Sequence, residues 1–262
     1  MTLQPDRGSR HFTAAGVGSD PRVVAIVEAR TSSTRLPGKV TMDIGDSPML
    51  AMVIERLLMA QSVDAICVAT TSSPRDDVIV DIAGDCGVSV YRGSEDDVLG
   101  RVLEAARSMG ADIVAEVTAD CPLVEPMIVD ACVMGYLASD VHLSAVNVIE
   151  RTFPLGLDMK VFSTEFLAEV DRITEDPADR EHVSLHMYEF PDRYRVMEFQ
   201  APPTLRRPHW RWTVDEVADL EFMREVASHV GRLSSARIIV EFLDEHPEVV
   251  SINLAIKQRV AR

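Results

Sequence analysis

Short apolar runs rich in β-branched residues alternate along this chain with segments whose apolar positions recur three to four apart. The first pattern predicts buried strands and the second amphipathic helices. A strand is expected over 23–29, a helix over 48–60 with Met49, Met52, Val53, Leu57 and Leu58 on one face, and a second strand over 63–70. The alternation continues with a helix over 76–86, a strand over 88–91, a helix over 95–109, a strand over 112–118 and a helix over 126–137, opened by Pro126, which suits a first helical turn. Strands separated by helices of this length predict an α/β fold with a mostly parallel, doubly wound sheet and ligands at the strand C-termini.

After Ser139 the pattern loosens. Strands are expected over 142–148, 158–162 and 194–199, with helices over 164–172 and 180–190 between them. A loop with Pro202, Pro203 and Pro208 leads to a strand over 209–214, and amphipathic helices close the chain over 217–230 and 235–245. Residues 1–20 show no periodicity and no continuous apolar segment of the secretory kind, so they read as a flexible extension before a single domain over 21–262.

Composition narrows the function classes. Of 262 residues, 47% are hydrophobic and 26% charged, as in soluble globular proteins. The longest apolar runs, 23–27 and 63–69, are strand-length and far short of a membrane span. A formal net charge of −16 repels nucleic acid and anionic membranes, so a small anionic substrate must be captured by local cations or a metal. Cys67, Cys86, Cys121 and Cys132 form no C-x-x-C pair and read as small buried side chains of a protein kept reduced in the cytoplasm.

The chemistry starts directly after the first strand, in Arg30-Thr-Ser-Ser-Thr-Arg35-Leu-Pro-Gly38-Lys39. Small hydroxyl residues let backbone N–H groups approach phosphate oxygens, and three cations supply the charge that the acidic remainder lacks. The spacing is not that of a P-loop; a solvated turn is the bland alternative, but the place at a strand C-terminus favours a ligand. Two carboxylates add to this. Asp120 follows the strand ending at Thr118 and precedes Pro122, and Asp215 ends the run 210–214 before a helix. Two strand-end aspartates facing a triphosphate make a sufficient protein share for Mg²⁺, whose octahedron is completed by phosphates and waters. Taken singly, Asp215 could equally be a helix N-cap and Asp120 a turn residue.

The run Ala25-Ile-Val-Glu-Ala-Arg30-Thr-Ser-Ser-Thr-Arg35-Leu-Pro-Gly-Lys39 closely resembles the opening motif of the cytidylyltransferases that activate acidic sugars, above all the SpsF-type branch of spore coat polysaccharide synthesis. Val68-Ala-Thr-Thr-Ser, Arg92-Gly-Ser-Glu-Asp-Asp-Val-Leu, Asp120-Cys-Pro-Leu, Arg151-Thr-Phe-Pro, Gly156-Leu-Asp158, Arg180-Glu-His-Val and Arg211-Trp-Thr-Val-Asp215-Glu follow in the order of that family, so the likeness extends over about residues 23–230. The resemblance implies a Rossmann-like nucleotidyltransferase fold of the GT-A kind, CTP as donor, Mg²⁺ on Asp120 and Asp215, a small anionic acceptor and a homodimer. It puts the triphosphate on Arg35 and Lys39, with Ala29, Arg30, Ser33, Thr34 and Thr70 also on the nucleotide, and Arg92, Gly93 and Ser94 beside the cytosine. Arg151, Asp158, Arg180 and His182 fall on the acceptor side.

Four positions depart from the pattern: Glu28, Ser32, Ala119 and Lys160. None removes a phosphate cation or a proposed metal ligand, and Glu28 and Lys160 point to different acceptor chemistry. His182 and His186, four apart on an expected helix, do not form the H-E-x-x-H zinc motif. Two rival readings remain at this level: a glycosyltransferase using a preformed nucleotide sugar, whose usual D-x-D pair is missing around Asp120, and a catalytically silent nucleotide-binding subunit.

Overall fold

The first apolar run forms strand β1 (Val23–Glu28), and the two sides of that strand enter different cores: Val23, Ala25 and Val27 pack into one, Val24 and Ile26 into another on the opposite face. A strand covered on both faces has no polar side, which is why its sequence is apolar throughout. The computed structural model describes residues 20–258, so the extension expected at 1–20 lies, Asp20 apart, outside the described residues.

Chain order continues with β2 (Asp43–Ile44), β3 (Ser47–Pro48), α1 (Met49–Leu57), β4 (Ala65–Thr71), α2 (Asp77–Asp85), β5 (Ser89–Gly93), α3 (Val98–Ser108), β6 (Ile113–Thr118) and α4 (Pro126–Leu137). The second half contributes β7 (Leu143–Val146), β8 (Met159–Ser163), α5 (Thr164–Ile173), α6 (Pro177–His182), α7 (Leu185–Glu189), β9 (Val196–Glu198), α8 (Val217–Val230), α9 (Ala236–Glu245) and α10 (Pro247–Val250). Seven strands form one sheet in the order β5-β4-β1-β6-β8-β7-β9, and β2 and β3 form a separate hairpin. The strands from β5 to β6 are parallel, β8 runs against both β6 and β7, and β9 is parallel to β7. The mostly parallel sheet expected from the alternation is therefore present, with one reversed strand. Residues of α1, α2, α4, α8 and α9 pack on one face, and residues of α3, α5 and α7 on the other. No helix among the described residues is long and apolar enough to cross a membrane. All four cysteines are free, and burial pushes the Cys67 thiol up to about 11 and the Cys132 thiol up to about 12, so neither is a ready nucleophile.

Two expected elements take a different form. The run 209–214 is an irregular extended segment, joined to the rest by an isolated bridge between Leu155 and Arg211. Its hydrogen bonds go to the sheet's rim instead of a ladder: Trp212 N donates to Leu155 O at 2.6 Å and Val214 N to Asp120 O at 2.8 Å. Residues 211–215 are buried without alternation, which imitates a buried strand in sequence. The helix expected over 180–190 is divided into α6 and α7 at Val183, whose φ of 49° is left-handed. Val183 is fully buried among residues of the second core, and that packing holds a β-branched residue in a conformation it otherwise avoids. The start of α6 had a sequence signal, since the Asp176 carboxylate accepts from Ala178 N at 2.8 Å and Pro177 fills the first turn.

The bridge from 209–214 requires a glycine at 156. Gly156 has φ 104°, and a Cβ there would lie 2.4 Å from the Trp212 carbonyl carbon and oxygen. Gly156→Ala is expected to cost roughly 3 kcal/mol in urea-melt stability. Gly84 in α2 has open space around the position of a Cβ, so Gly84→Ala is expected to stabilise by about 0.5–1 kcal/mol in the same measurement.

Candidate active site

A cavity of about 660 Å³ opens at the C-terminal ends of β1 and β6, lined by the 29–39 loop, by Asp120 and Cys121, by Thr213 and Asp215, and by residues of α3, β8 and α6. The loop is held at its base. Asp76, almost fully buried, accepts from Thr31 N at 2.9 Å and Thr31 Oγ1 at 2.6 Å on one oxygen, and from Thr71 Oγ1 at 2.5 Å on the other. Burial alone would raise the Asp76 carboxyl, but these hydrogen bonds from Thr31 and Thr71 outweigh it and hold it below the usual range. Gly38 N closes the loop on Thr31 O at 2.9 Å, and Gly38, at φ 72°, turns the chain into the short 3₁₀ segment that starts at Lys39.

Lys39 is the centre of the site. Its Nζ donates to Asp120 Oδ2 at 2.7 Å, to Asp215 Oδ1 at 2.8 Å and to Val214 O at 2.7 Å. Burial would lower the lysine's affinity for its proton, yet the charges of Asp120 and Asp215 raise it above the ordinary value. Asp215 is engaged on both oxygens, because Arg35 Nη2 also reaches Oδ1 at 2.7 Å and Arg211 Nη2 reaches Oδ2 at 2.7 Å. Its carboxyl is held down by Lys39 first and then Arg35 and Arg211, against the upward push of burial. Arg211 is itself fixed by Asp219, at 2.8 Å from Nε, and Asp219 accepts the backbone N–H groups of Asp215 and Glu216 at 2.9 and 3.0 Å. The N-cap of α8 is Glu216, in a capping box with Asp219, so Asp215 is free of the capping role that its position allowed.

Among the described residues no group of three or more His, Cys, Asp or Glu is arranged to hold a metal. Two carboxylate oxygens and one carbonyl nevertheless converge within 2.8 Å of a single positive atom, Lys39 Nζ. These hard oxygens are the donor set that Mg²⁺ prefers, with phosphates and waters to complete it. Asp120 and Asp215 therefore fit the ion chemically, in the space where Lys39 now neutralises them.

Of the residues singled out from sequence, Ala29, Arg30, Ser33, Thr34, Arg35, Lys39, Asp120, Asp158, His182 and Asp215 line this cavity. The others stand elsewhere. Thr70 is fully buried in β4. Arg92 is bound to Thr71 O at 2.9 Å, Ser73 O at 2.7 Å and Asp77 at 2.6 Å on the sheet's edge strand, with Gly93 and Ser94 following it. Arg151 is exposed. Arg180 ties α6 to α3 and α5 through Asp97 at 2.5 Å and Asp171 at 2.7 Å. The acceptor-side set is thus divided: Asp158 and His182 face the cavity, while Arg151 and Arg180 do not line it.

The cavity also holds Glu28 and Lys160, the two departures expected to bear on acceptor chemistry, Glu181 of the Arg180-Glu181-His182 motif, and Arg101, which the sequence did not single out. Burial pushes the Glu28 carboxyl up to about 8, the charge of Glu116 adds to that, and Lys160 and Arg101 oppose it. Burial alone would lower Lys160, but Glu116 and Asp158 raise it above its ordinary range. Lone charges within apolar strand runs, Glu28 closing β1, Glu116 inside β6 and Lys160 inside β8, were the signal available in the sequence.

The cytidylyltransferase sequence profile matches residues 24–236. The chain is 33% identical over 243 residues to an uncharacterized protein of Methanocaldococcus jannaschii, covering 92% of this chain and 98% of that one. It is 27% identical over 236 residues to the spore coat polysaccharide biosynthesis protein SpsF of Bacillus subtilis, covering 87% and 97%. A solved cytidylyltransferase from Leptospira borgpetersenii superposes with a TM-score of 0.85 at 29% identity, covering 92% of this chain and all of the other.

Two outcomes are expected from this geometry. Asp76→Ala frees Thr31 and should weaken nucleoside triphosphate binding about tenfold in calorimetric titration with CTP, although Asp76 itself lies outside the cavity lining. Glu28 has a folded value of about 8 against an ordinary 4.5, so the folded protein binds the proton more tightly. The resulting stability is complete at pH below the ordinary value and is lost as pH rises through the folded one. Glu28→Gln should flatten that loss and raise the melting temperature by about 3 °C above pH 8; parallel pH profiles for the two proteins would contradict the assignment.

Proposed function

Because the chain belongs to the cytidylyltransferase family, we propose that it transfers CMP from CTP to an oxygen of a small acidic, sugar-like acceptor with release of pyrophosphate and with Mg²⁺ as cofactor. The observation that carries this reading is the state of Arg35. One guanidinium nitrogen pairs with Asp215 at 2.7 Å, and the other, Nη1, is shielded from solvent with no hydrogen-bond partner among the described residues. An orphaned cationic donor on a phosphate-type loop is costly unless a ligand satisfies it, and a triphosphate supplies the missing acceptor.

In the proposed reaction the acceptor oxygen attacks the α-phosphorus in line, the new O–P bond forms, and the bond to the β-phosphate oxygen breaks. Arg35 and Lys39 neutralise the β- and γ-phosphates as negative charge moves onto the departing pyrophosphate. Lys39 starts from two carboxylates and a carbonyl, so triphosphate binding exchanges its partners instead of recruiting an unpaired lysine. Asp120 and Asp215 would hold the Mg²⁺, which when bound supplies electrophilic assistance at the reacting phosphate. The Asp76 clasp fixes the loop beforehand, which reduces the ordering cost of binding. Asp158 and His182 mark the side of the cavity left for the acceptor.

The test is pyrophosphate release with each of four nucleoside triphosphates, Mg²⁺ and a panel of sugar acids, phosphates and phosphonates. CTP is expected to be the preferred donor, and ATP or UTP performing better would reject the donor assignment. Asp120→Asn and Asp215→Asn should each lower turnover by about 100-fold or more. Their stabilities should separate them. Asp120 contacts one cation and is partly exposed, whereas Asp215 is buried among three. Asp215→Asn should therefore lose about 3 kcal/mol in a denaturant melt and Asp120→Asn far less.

A further inference from the structure

The cavity has a second charged wall that the transfer of CMP does not explain. Glu28 closes β1, and its face of the sheet continues across the register: Ile26 lies opposite Glu116 on β6, and Glu116 lies opposite Lys160 on β8. Alternate residues of a strand share a face and neighbours across strands are in reach, so Glu28, Glu116 and Lys160 collect at one place on the rim. Lys160 Nζ donates to Glu116 Oε1 at 3.3 Å. The other carboxylate oxygen of Glu116, Oε2, and Oε1 of Glu28 are shielded from solvent and have no hydrogen-bond partner among the described residues.

With Glu28 ionised the charges at this wall do not balance; burial, and then this imbalance, is why the Glu28 carboxyl keeps its proton up to about pH 8 unless a further cation joins it. Glu28, Glu116 and Asp158 surround the cation Lys160, and Asp120 adds further negative field at Glu28. Arg101 also faces this wall: Glu28 is the foremost charge acting on it, its Nη1 is directed to the carbonyls of Ser94 and Glu95, and its Nε has no hydrogen-bond partner among the described residues, so three carboxylates stand against two cations and a surplus of one negative charge remains. An anionic ligand group placed here meets a negative surplus, and a hydroxyl satisfies one oxygen without supplying charge. An ammonium group does both: it brings up to three N–H donors to oxygens that lack them and the positive charge that the wall lacks.

On the premise that the chain is the cytidylyltransferase proposed above, we propose that its acceptor carries a protonated amine in addition to the oxygen that attacks CTP, and that Glu28 is the specificity-determining residue that binds this amine. Lys160 then serves as counter-ion to Glu116 and leaves Glu28 as the carboxylate available to the ligand. Burial first, and then the charge of Glu116, push the Glu28 carboxyl up to about 8, and an ammonium beside it would favour its ionised form.

The experiment uses the full chain and three pairs of compounds in which an ammonium replaces a hydroxyl: 2-aminoethylphosphonate with 2-hydroxyethylphosphonate, glucosamine 1-phosphate with glucose 1-phosphate, and glucosaminate with gluconate. Binding is measured by calorimetry in the presence of CTP, and turnover by pyrophosphate release. In at least one pair the amine is expected to bind about tenfold more tightly or better. Glu28→Gln should bring that pair to within about threefold while CTP affinity changes by less than that. Lys160→Gln, which deepens the negative surplus, should widen the preference for the amine, a response that a purely structural Glu28 would not give. Equal binding within every pair, a preference for the hydroxyl compounds, or an amine preference that survives Glu28→Gln each overturns the proposal. An amine preference in binding without release of pyrophosphate from CTP would instead overturn the assigned reaction and leave the role of Glu28 standing.

Discussion

Lys39 Nζ lies within 2.8 Å of the carboxylates of Asp120 and Asp215 and of the Val214 carbonyl, and these groups come from separate parts of the chain. Asp120 follows β6, Val214 and Asp215 belong to the irregular segment before α8, and the lysine ends the 29–39 loop that follows β1. Two carboxylates at one strand-end rim repel each other, and the buried ammonium between them converts that repulsion into a three-way joint. The same lysine is a loop residue on the cavity surface, so the joint that organises the site also sets a cation at the cavity.

Around this joint the fixed and the available groups are sorted. The loop is clamped at its start by Asp76 and at its end by Lys39, and Asp215 is oriented through Arg211 and Asp219. Such support confines the atoms that would meet phosphate without requiring the whole loop to be rigid. Among the described residues Arg35 Nη1, Arg101 Nε and Glu28 Oε1 have no hydrogen-bond partner, two donors and one acceptor on cavity residues. Anionic chemistry suits the donor on the loop and cationic chemistry the acceptor. The cavity is thus chemically divided, with loop cations and the aspartate pair on one side and a carboxylate-rich wall on the other.

Residues that stand apart from the cavity also shape it. Arg180 joins three helices through Asp97 and Asp171, holding α6 so that His182 and Glu181 reach the lining. Gly156 allows the 209–214 segment to cross close to the chain before β8 and deliver Asp215 to Lys39. In both cases a motif residue acts through backbone placement, which explains why its position in a motif did not reveal what it touches.

The sequence by itself determined the strand–helix alternation, because burial on both faces of β1, β4 and β6 and on one face of most helices leaves a local record of period and run length. It also determined the loop cations and the two aspartates, since each sits beside an element boundary marked by a change of pattern. The break at Val183, the irregular course of 209–214 and the interior ion pairs left no such record. Val183 takes its backbone angle from the core it enters, and residues 211–215 are buried by the sheet's rim and not by a ladder. Glu28, Glu116 and Lys160 are distant in sequence and meet only because β1, β6 and β8 are consecutive in the sheet and paired in that register. Strand order and register are collective outcomes of packing, so the lone charges could be read in the sequence, but their meeting, and with it the charge balance of the cavity, was decided by the tertiary structure.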